Sequence, residues 1–250
     1  MIALLLVVAA LVMEFIDSFL GMMYGTVLSP LLILAGYDVK SVVPAILISQ
    51  AVGGFVASWR HHKLGNADFS KGTIDRQVSL TVIWLGVIAS IIGVFLSVSI
   101  SAKALNTYIA VLVIVIGLMI FYRKTFRLTS AKIFILGFTS SFNKALSGGG
   151  FGPLVAGGQL VFKDREEKGA IGSTDFAEAP ICLISFILWL FLKGLPDLWL
   201  TILLCLGAGV GGFLGPEALS RITSKNKLKF ILGVLVFIEG LWVLYKVWIK

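Results

Sequence analysis

Eight apolar segments follow one another along the chain, and the loops between them carry most of the charged residues. They lie at about residues 1–36, 41–58, 77–97, 103–122, 132–162, 169–192, 196–219 and 228–249. Six of them are 18 to 24 residues long, the length of a helix that crosses a bilayer. With 58% hydrophobic and 14% charged residues, the chain has too little polar surface for a soluble domain. The sequence predicts an all-α polytopic membrane protein.

Two of the segments, 1–36 and 132–162, are too long for one crossing, and each contains a break. The first is interrupted at residues 21–25 and again at 29–30, and the second at 148–153, within SSFNKALSGGGFGP. Broken backbone at membrane depth is tolerated only where protein buries it or water lines it. The Ser-Pro and Gly-Pro pairs predict two helix starts, whose free N–H groups suit an anion. The alternative is that the prolines only kink continuous helices.

The two halves of the chain resemble each other. A shift of 123 residues takes Pro30 to Pro153 and Gly25 to Gly148. The sequence therefore predicts two repeats, 1–125 and 126–250, each a broken helix or hairpin followed by three spanning helices. That arrangement gives about eight to ten membrane segments, and internal repeats of this kind are common in secondary transporters.

The basic residues predict how the repeats are related. With eight simple crossings, the Lys and Arg residues outside the membrane divide 11 to 9 between the two sides. If each broken segment is a hairpin that leaves on the side it entered, they divide 15 to five. The positive-inside rule favours the second arrangement, so we expect inverted repeats with both termini on the non-cytoplasmic side. The net charge of +8 then reflects topology, and no nucleic-acid partner is expected.

Lys144 is the one basic residue well inside an apolar segment. A charge at this depth costs a few kcal/mol and usually has a function. With Asn143, Ser147 and the glycine amides, it could neutralise a small oxyanion. The alternatives are a structural ion pair with a residue such as Asp17, or a side chain that reaches the interface.

Acidic residues also fall within the apolar segments. Asp175 and Glu178 lie three residues apart, on one face of a helix, and could carry a coupling proton or pair with Lys144. No role is predicted for Glu217. His61 and His62 lie in a basic loop, where we expect them to be solvated or near lipid headgroups.

The glycine-rich breaks followed by proline, GTVLSPLLILAG and GGGFGPLVAGG, resemble those of the TauE/SafE sulfite exporter family, also called the sulfonate uptake permease superfamily. The resemblance implies a bacterial or archaeal inner-membrane permease for sulfite, sulfoacetate, other sulfonates or thiosulfate, without fixing the direction of transport. It also implies that Gly25 and residues 148–150 belong to the site. The first tip reads GTVLSP where the second reads GGGFGP, so the two need not contribute equally.

We therefore expect a secondary transporter with alternating access, possible coupling to protons, and substrate at the midplane. The residues predicted to bind substrate are Ser18, Gly25, Thr26, Ser29, Ser49, Gln50, Asn143, Lys144, Ser147, Gly148, Gly149, Gly150, Ser173 and Thr174. Those predicted to carry a coupling proton are Asp17, Asp175 and Glu178. No cofactor and no metal are expected. The expected partners are a small sulfur oxyanion or organosulfonate and membrane lipid, and a homo-oligomer is left open.

Other function classes have less support. An anion channel is one alternative, but two unequal tips favour alternating access over a uniform pore. An intramembrane serine hydrolase would need Ser147 as nucleophile and Lys144 as base, and no supporting third group is evident. The sequence has no Walker-type loop for ATP-driven transport.

Overall fold

The structure, a computed structural model, describes residues 2–96, 103, 107, 110–111, 114–115, 118, 129–147, 149–162, 165–222 and 225–248. The regular structure of these residues is helical, and no strand occurs among them. In chain order the helices are α1 (Ile2–Leu20), α2 (Tyr24–Leu34), α3 (Val39–Lys63), α4 (Ile74–Leu96), α5 (Ser130–Ser147), α6 (Phe151–Leu160), α7 (Glu167–Lys193), α8 (Leu198–Ser220) and α9 (Lys225–Trp248).

Five stretches of these helices are long and apolar enough to cross a membrane. They are Ile2–Leu20, Ser41–Lys63, Ile74–Gly93, Glu167–Leu192 and Leu198–Ser220. Large apolar side chains such as Trp84 and Phe191 point outward from them, as expected for helices that face lipid. The predicted class, an all-helical polytopic membrane protein, is confirmed. Most of the predicted segment 103–122 lies outside the described residues.

The first long segment breaks between α1 and α2, as predicted from its glycines. α1 ends at Leu20, and the backbone of Gly21 and Met23 has positive φ, +79° and +107°. Glycine adopts this region at little cost, whereas a methionine is held there by its surroundings. The chain therefore changes direction within three residues.

The helix start predicted at Ser29 and Pro30 is wrong. The Asp17 carboxylate accepts the backbone N–H of Tyr24 at 2.9 Å, and this side-chain cap lets α2 begin at Tyr24. α2 then runs through Ser29 and Pro30 without ending. The alternative interpretation is correct here, because Pro30 lies inside a continuous helix.

The second break lies between α5 and α6. Gly150 takes a left-handed conformation with φ of +78° immediately before α6, which begins at Phe151. Pro153 falls in the first turn of α6, where its missing N–H removes no helical hydrogen bond. The helix start predicted beside Pro153 is confirmed.

α2 folds back along α1. Leu28 and Leu32 of α2 share a core cluster with Leu6 and Ala10 from the first half of α1. Had the chain continued straight, about 40 Å would separate Leu6 from Leu32. The first broken segment is therefore a helical hairpin.

Helix directions follow from the contacts between helices. α1 runs parallel to α8, since Gly207 meets Val7 and Gly211 meets Leu11. α3 does so too, since Gly53 meets Gly212 and Arg60 meets Glu217, and α3 is therefore parallel to α1. His61, near the end of α3, meets Asp175, whereas Gln50, earlier in α3, meets Glu178, later in α7. α3 and α7 are therefore antiparallel.

The two halves pack in the same pattern. α1 lies along α8, and its counterpart α5 lies along α4. α3 contacts α8 and α7 contacts α4, while α3 and α7 pack against each other between these pairs. The short helices behave alike, since α2 contacts α3 and α6 contacts α7. Each half thus supplies packing partners to the other.

Equivalent helices are offset by 127 residues at the breaks. α2 begins at Tyr24 and α6 at Phe151, and the ends of α1 and α5 differ by the same number. The shift of 123 aligned two prolines that occupy different turns of their helices. In the structure Asp17 therefore corresponds to Lys144, where the sequence shift paired it with Ser140.

Glycines on α8 allow the closest helix approaches. A side chain at Gly207 or Gly211 would collide with the backbone of α1, and one at Gly212 with the backbone of Gly53 in α3. Small residues at such positions let membrane helices approach to backbone distance. By contrast, a Cβ at Gly209 would meet only a Val52 methyl group at 3.8 Å.

These two environments give a matched test. We expect Gly212→Ala to lower the free energy of unfolding by about 1–3 kcal/mol, because the added methyl forces α3 and α8 apart. Gly209→Ala has room for the same methyl and should be neutral or slightly stabilising. Thermal unfolding of the two purified variants in detergent measures the difference, and equal stability would contradict the packing described.

Candidate functional site

Four helices each contribute one polar side chain to a buried group that we call the central cluster. Its members are Asp17 from α1, Gln50 from α3, Lys144 from α5 and Glu178 from α7. All four are less than 5% exposed. Asp17 and Lys144 each lie three residues before the end of their helix, next to the breaks. The central cluster therefore joins both halves of the chain at the points where their helices are interrupted.

Lys144 forms a buried ion pair. Its Nζ lies 2.7 Å from Oε1 of Glu178 and also donates to Oε1 of Gln50. The sequence left open whether Lys144 forms a structural ion pair. The structure shows such a pair, and the partner is Glu178 rather than Asp17. A buried pair of this kind is stable only when further hydrogen bonds satisfy both groups.

Gln50 provides those further hydrogen bonds. Its Nε2 donates to Glu178 Oε1 at 2.9 Å and to Asp17 Oδ2 at 3.3 Å, while its Oε1 accepts from Lys144. One amide thus contacts all three charged members of the central cluster. Its donor and acceptor ends match the signs of the groups they face.

Asp17 links the central cluster to the first break. One carboxylate oxygen accepts from Gln50, and the other caps α2 at Tyr24. The Tyr24 hydroxyl in turn lies 2.7 Å from the Ser49 hydroxyl on α3. Movement of the first break would therefore disturb the hydrogen bonds around Gln50.

Carboxyl groups outnumber cations in this region. Glu14 and Asp175 are buried as well, and Glu14 interacts electrostatically with Asp17, Asp175, Glu178 and Lys144. Oε2 of Glu14 has no hydrogen-bond partner among the described residues. Four ionised carboxylates beside one lysine would leave a large uncompensated negative charge, which is costly in a low-dielectric interior. Binding of a proton to one of these carboxyls would reduce that charge.

His61 is buried, so the expectation of a solvated position is wrong for it. α3 continues to Lys63 and carries His61 inward, where Nε2 lies 3.1 Å from Asp175 Oδ2 and 3.0 Å from the Ser18 carbonyl oxygen. The adjacent His62 points outward and its side chain is 47% exposed. The composition of this basic stretch gave no indication of how far α3 extends.

The two breaks touch each other. The backbone N–H of Gly150 donates to the Thr26 hydroxyl at 3.4 Å, and a Cβ at Gly149 would lie 3.3 Å from the Thr26 backbone. Gly152 packs so closely on the backbone of Gly21 that no side chain would fit. The structure thus brings the predicted tips together from opposite halves.

The remaining predicted residues are distributed around this contact. Asn143 is buried on α5 beside Lys144, and Gly25 and Ser29 are buried on α2. The Ser18 hydroxyl donates to the carbonyl oxygens of Glu14 and Gly211, so it serves helix packing. Gly148 and the side chain of Ser147 lie outside the described residues.

Ser173 and Thr174 belong to a second buried cluster, centred on Arg165. The Arg165 guanidinium contacts Asp75 at 2.6 Å, Gln159 at 2.6 and 2.9 Å, and Ser173 at 2.7 Å. Gln159 also donates to Thr174. Arg165 counted as a loop charge in the sequence, yet it is only 7% exposed. Arg165 itself lies between Asp75 on α4 and Ser173 on α7, which no local pattern reveals.

The helical described residues, the five membrane-length stretches and the buried ion pair beside two helix breaks indicate a polytopic membrane protein. It belongs to the TauE/SafE family, because the family described as Sulfite exporter TauE/SafE matches residues 5–243. A Bacillus subtilis (strain 168) protein, named as the probable membrane transporter protein YtnM, is 23% identical over 212 residues. That alignment covers 80% of this chain and 68% of the relative. The family and this relative identify a membrane transporter rather than an enzyme.

Proposed function

We propose that this protein is a secondary transporter that moves small sulfur-containing anions together with protons. Sulfite, sulfoacetate and other sulfonates, and thiosulfate are the candidate substrates, and the bacterial or archaeal cytoplasmic membrane is the proposed location. The observation that carries the proposal is the Lys144–Glu178 pair, buried where the two broken helices meet. The family name supports a sulfur oxyanion as substrate.

The proposed architecture is a pair of inverted repeats, residues 1–125 and 126–250, with eight to ten membrane segments and both termini outside the cytoplasm. Two observations support it. The halves pack in the same pattern, and the corresponding helices α3 and α7 run in opposite directions. In inverted-repeat transporters the substrate site lies at the midplane between the broken helices.

In this proposal the anion competes with Glu178 for Lys144. While Glu178 is ionised, it neutralises the lysine, and an anion would add a further charge to a region already rich in carboxyls. Protonation of Glu178 removes its charge and leaves Lys144 to pair with the anion. Proton and anion therefore bind together, and both cross the membrane in the same direction.

The second break would supply the neutral part of the anion site. Lys144 is one turn from the end of α5, and α6 begins a few residues further on, at Phe151. A helix start of this kind favours an oxyanion. Thr26 from the first break already contacts Gly150 and would bind the same anion from the other half.

Glu178→Gln tests the proton coupling. In the unmodified protein, anion affinity should rise as the pH falls, because Glu178 must be protonated to release Lys144. The glutamine imitates the protonated acid, so the variant should bind thiosulfate tightly and with little pH dependence. Calorimetric titrations at several pH values measure this.

Glu217→Gln is the control for this test. It changes a partly exposed acid paired with Arg60 and should keep the normal pH dependence. Normal pH dependence in Glu178→Gln as well would contradict the mechanism.

Lys144 is best tested without leaving Glu178 unpaired. The double variant Lys144→Met/Glu178→Gln removes both charges and avoids the destabilisation caused by one buried charge alone. Relative to Glu178→Gln, it should bind thiosulfate or sulfoacetate at least about tenfold more weakly, since a charge-assisted hydrogen bond is lost. Lys71→Ala, at an exposed loop position, is the control and should bind normally. Unchanged binding by the double variant would exclude Lys144 from the site.

Cysteine labelling tests the topology. In a protein whose Cys182 and Cys205 are replaced by serine, Ser70→Cys should react with a membrane-impermeant maleimide only from the cytoplasmic side. Lys103→Cys should react only from outside. Both positions are exposed in the structure, so a lack of reaction reports sidedness rather than burial. The opposite labelling pattern would contradict the proposed orientation.

A further inference from the structure

We propose that His61 passes protons between the loop at residues 64–73 and the carboxyl groups around Lys144. The inference rests on the proposed proton-coupled transport and names the route by which the coupling proton reaches its site. His61 is fully buried, belongs to the last turn of α3, and contacts a carboxylate on one side and a loop residue on the other.

The contacts of His61 define its tautomer. Nδ1 lies 3.2 Å from Nδ2 of Asn66, and that nitrogen also donates to the Pro216 carbonyl oxygen at 2.8 Å. An amide nitrogen only donates, so Nδ1 accepts and carries no proton. The neutral ring therefore has its proton on Nε2, which donates toward Asp175 Oδ2 and the Ser18 carbonyl oxygen.

His61 separates Asp175 from the loop that follows α3. Asn66 is 5% exposed and covers Nδ1, while its neighbour Gly65 is exposed and takes a positive φ of +69°. On the inner side, Asp175 lies one helical turn from Glu178 on α7. One imidazole thus bridges a surface loop and Asp175, which lies one turn from the partner of Lys144.

Several charged groups surround this route on the packed helices. They are Glu14 and Asp17 on α1, Lys144 on α5, Asp175 and Glu178 on α7, and the Arg60–Glu217 pair between α3 and α8. The carboxyl groups on the inner side favour the arrival of a proton. Arg60 and Glu217 neutralise each other, and Glu217 does not accept a hydrogen bond from His61.

The transfer conserves protons at each step. When Asn66 moves aside, water on the loop side gives a proton to Nδ1, and the ring becomes an imidazolium ion. Nε2 then releases its proton to Asp175 Oδ2, which leaves a neutral carboxylic acid and a neutral ring protonated on Nδ1. From Asp175 the proton passes to Glu178 when the central cluster opens to water. The ring recovers its first tautomer when it rotates so that both nitrogens meet water on the loop side, where Nε2 gains a proton and Nδ1 loses one. The reset therefore exchanges no net proton with the loop side and takes none back from Asp175.

The neighbouring histidines allow a matched experiment. We would reconstitute the unmodified protein, His61→Gln and His62→Gln into liposomes that contain a pH-sensitive dye, and impose gradients of thiosulfate or sulfoacetate. Glutamine can hydrogen-bond to Asp175 but cannot relay a proton. We expect His61→Gln to reduce substrate-driven proton flux about 100-fold, as for loss of a positioned proton-transfer group, and His62→Gln to leave it unchanged. Thiosulfate affinity, measured by calorimetry at fixed pH, should stay within about threefold in both variants.

The outcomes separate the relay from the transport function. Normal proton flux in His61→Gln overturns the relay while leaving proton-coupled transport intact. If the unmodified protein moves no protons with either substrate, the proposed function fails, and the relay fails with it. In His62→Gln, where His61 is the remaining histidine, imidazole nitrogen resonances should show a protonated Nε2 and a bare Nδ1. The opposite tautomer would overturn the relay even if His61→Gln does not fold.

Discussion

The ion pair between Lys144 and Glu178 is the interaction on which the interior of this protein depends. Neither charge could be buried alone, because an unpaired ion in a low-dielectric interior costs several kcal/mol. Gln50 hydrogen-bonds to both members of the pair and extends it to Asp17, which caps α2. Gln50 and Asp17 thus connect Glu178 to the first break, and Lys144 connects it to the second. A change in the charge of Glu178 would therefore alter hydrogen bonds next to both breaks.

Close helix packing is what allows these polar groups to meet. Glycines on α8 let its backbone touch α1 and α3, and glycines at the second break let it touch the first. The helices that carry Asp17, Gln50, Lys144 and Glu178 are consequently held around one point. The same packing leaves the members of the central cluster almost without exposure, so access for an anion requires the breaks or the helices beside them to move. The proposed alternating access would supply such a movement.

Sequence patterns predicted the helical membrane class, both breaks and the depth of Lys144, because hydropathy and glycine content report directly on backbone and burial. They offered Asp17, Asp175 and Glu178 as partners of Lys144 without choosing among them. The start of α2 was misplaced because its cap, Asp17, lies seven residues before Tyr24 across the break. His61 and Arg165 were assigned to solvated loops because loop composition does not show whether a short connection folds inward. The role of Gln50 depends on three helices from both halves, which no local pattern contains.

The central claim is that an anion and a proton bind together at the pair formed by Lys144 and Glu178. Its most direct test is calorimetric titration of thiosulfate into the purified protein in two buffers that have the same pH and different ionisation enthalpies. The difference between the observed heats gives the number of protons taken up for each anion bound. The mechanism predicts uptake of about one proton per anion near neutral pH, since one carboxylate must be neutralised. Binding without proton uptake would contradict it.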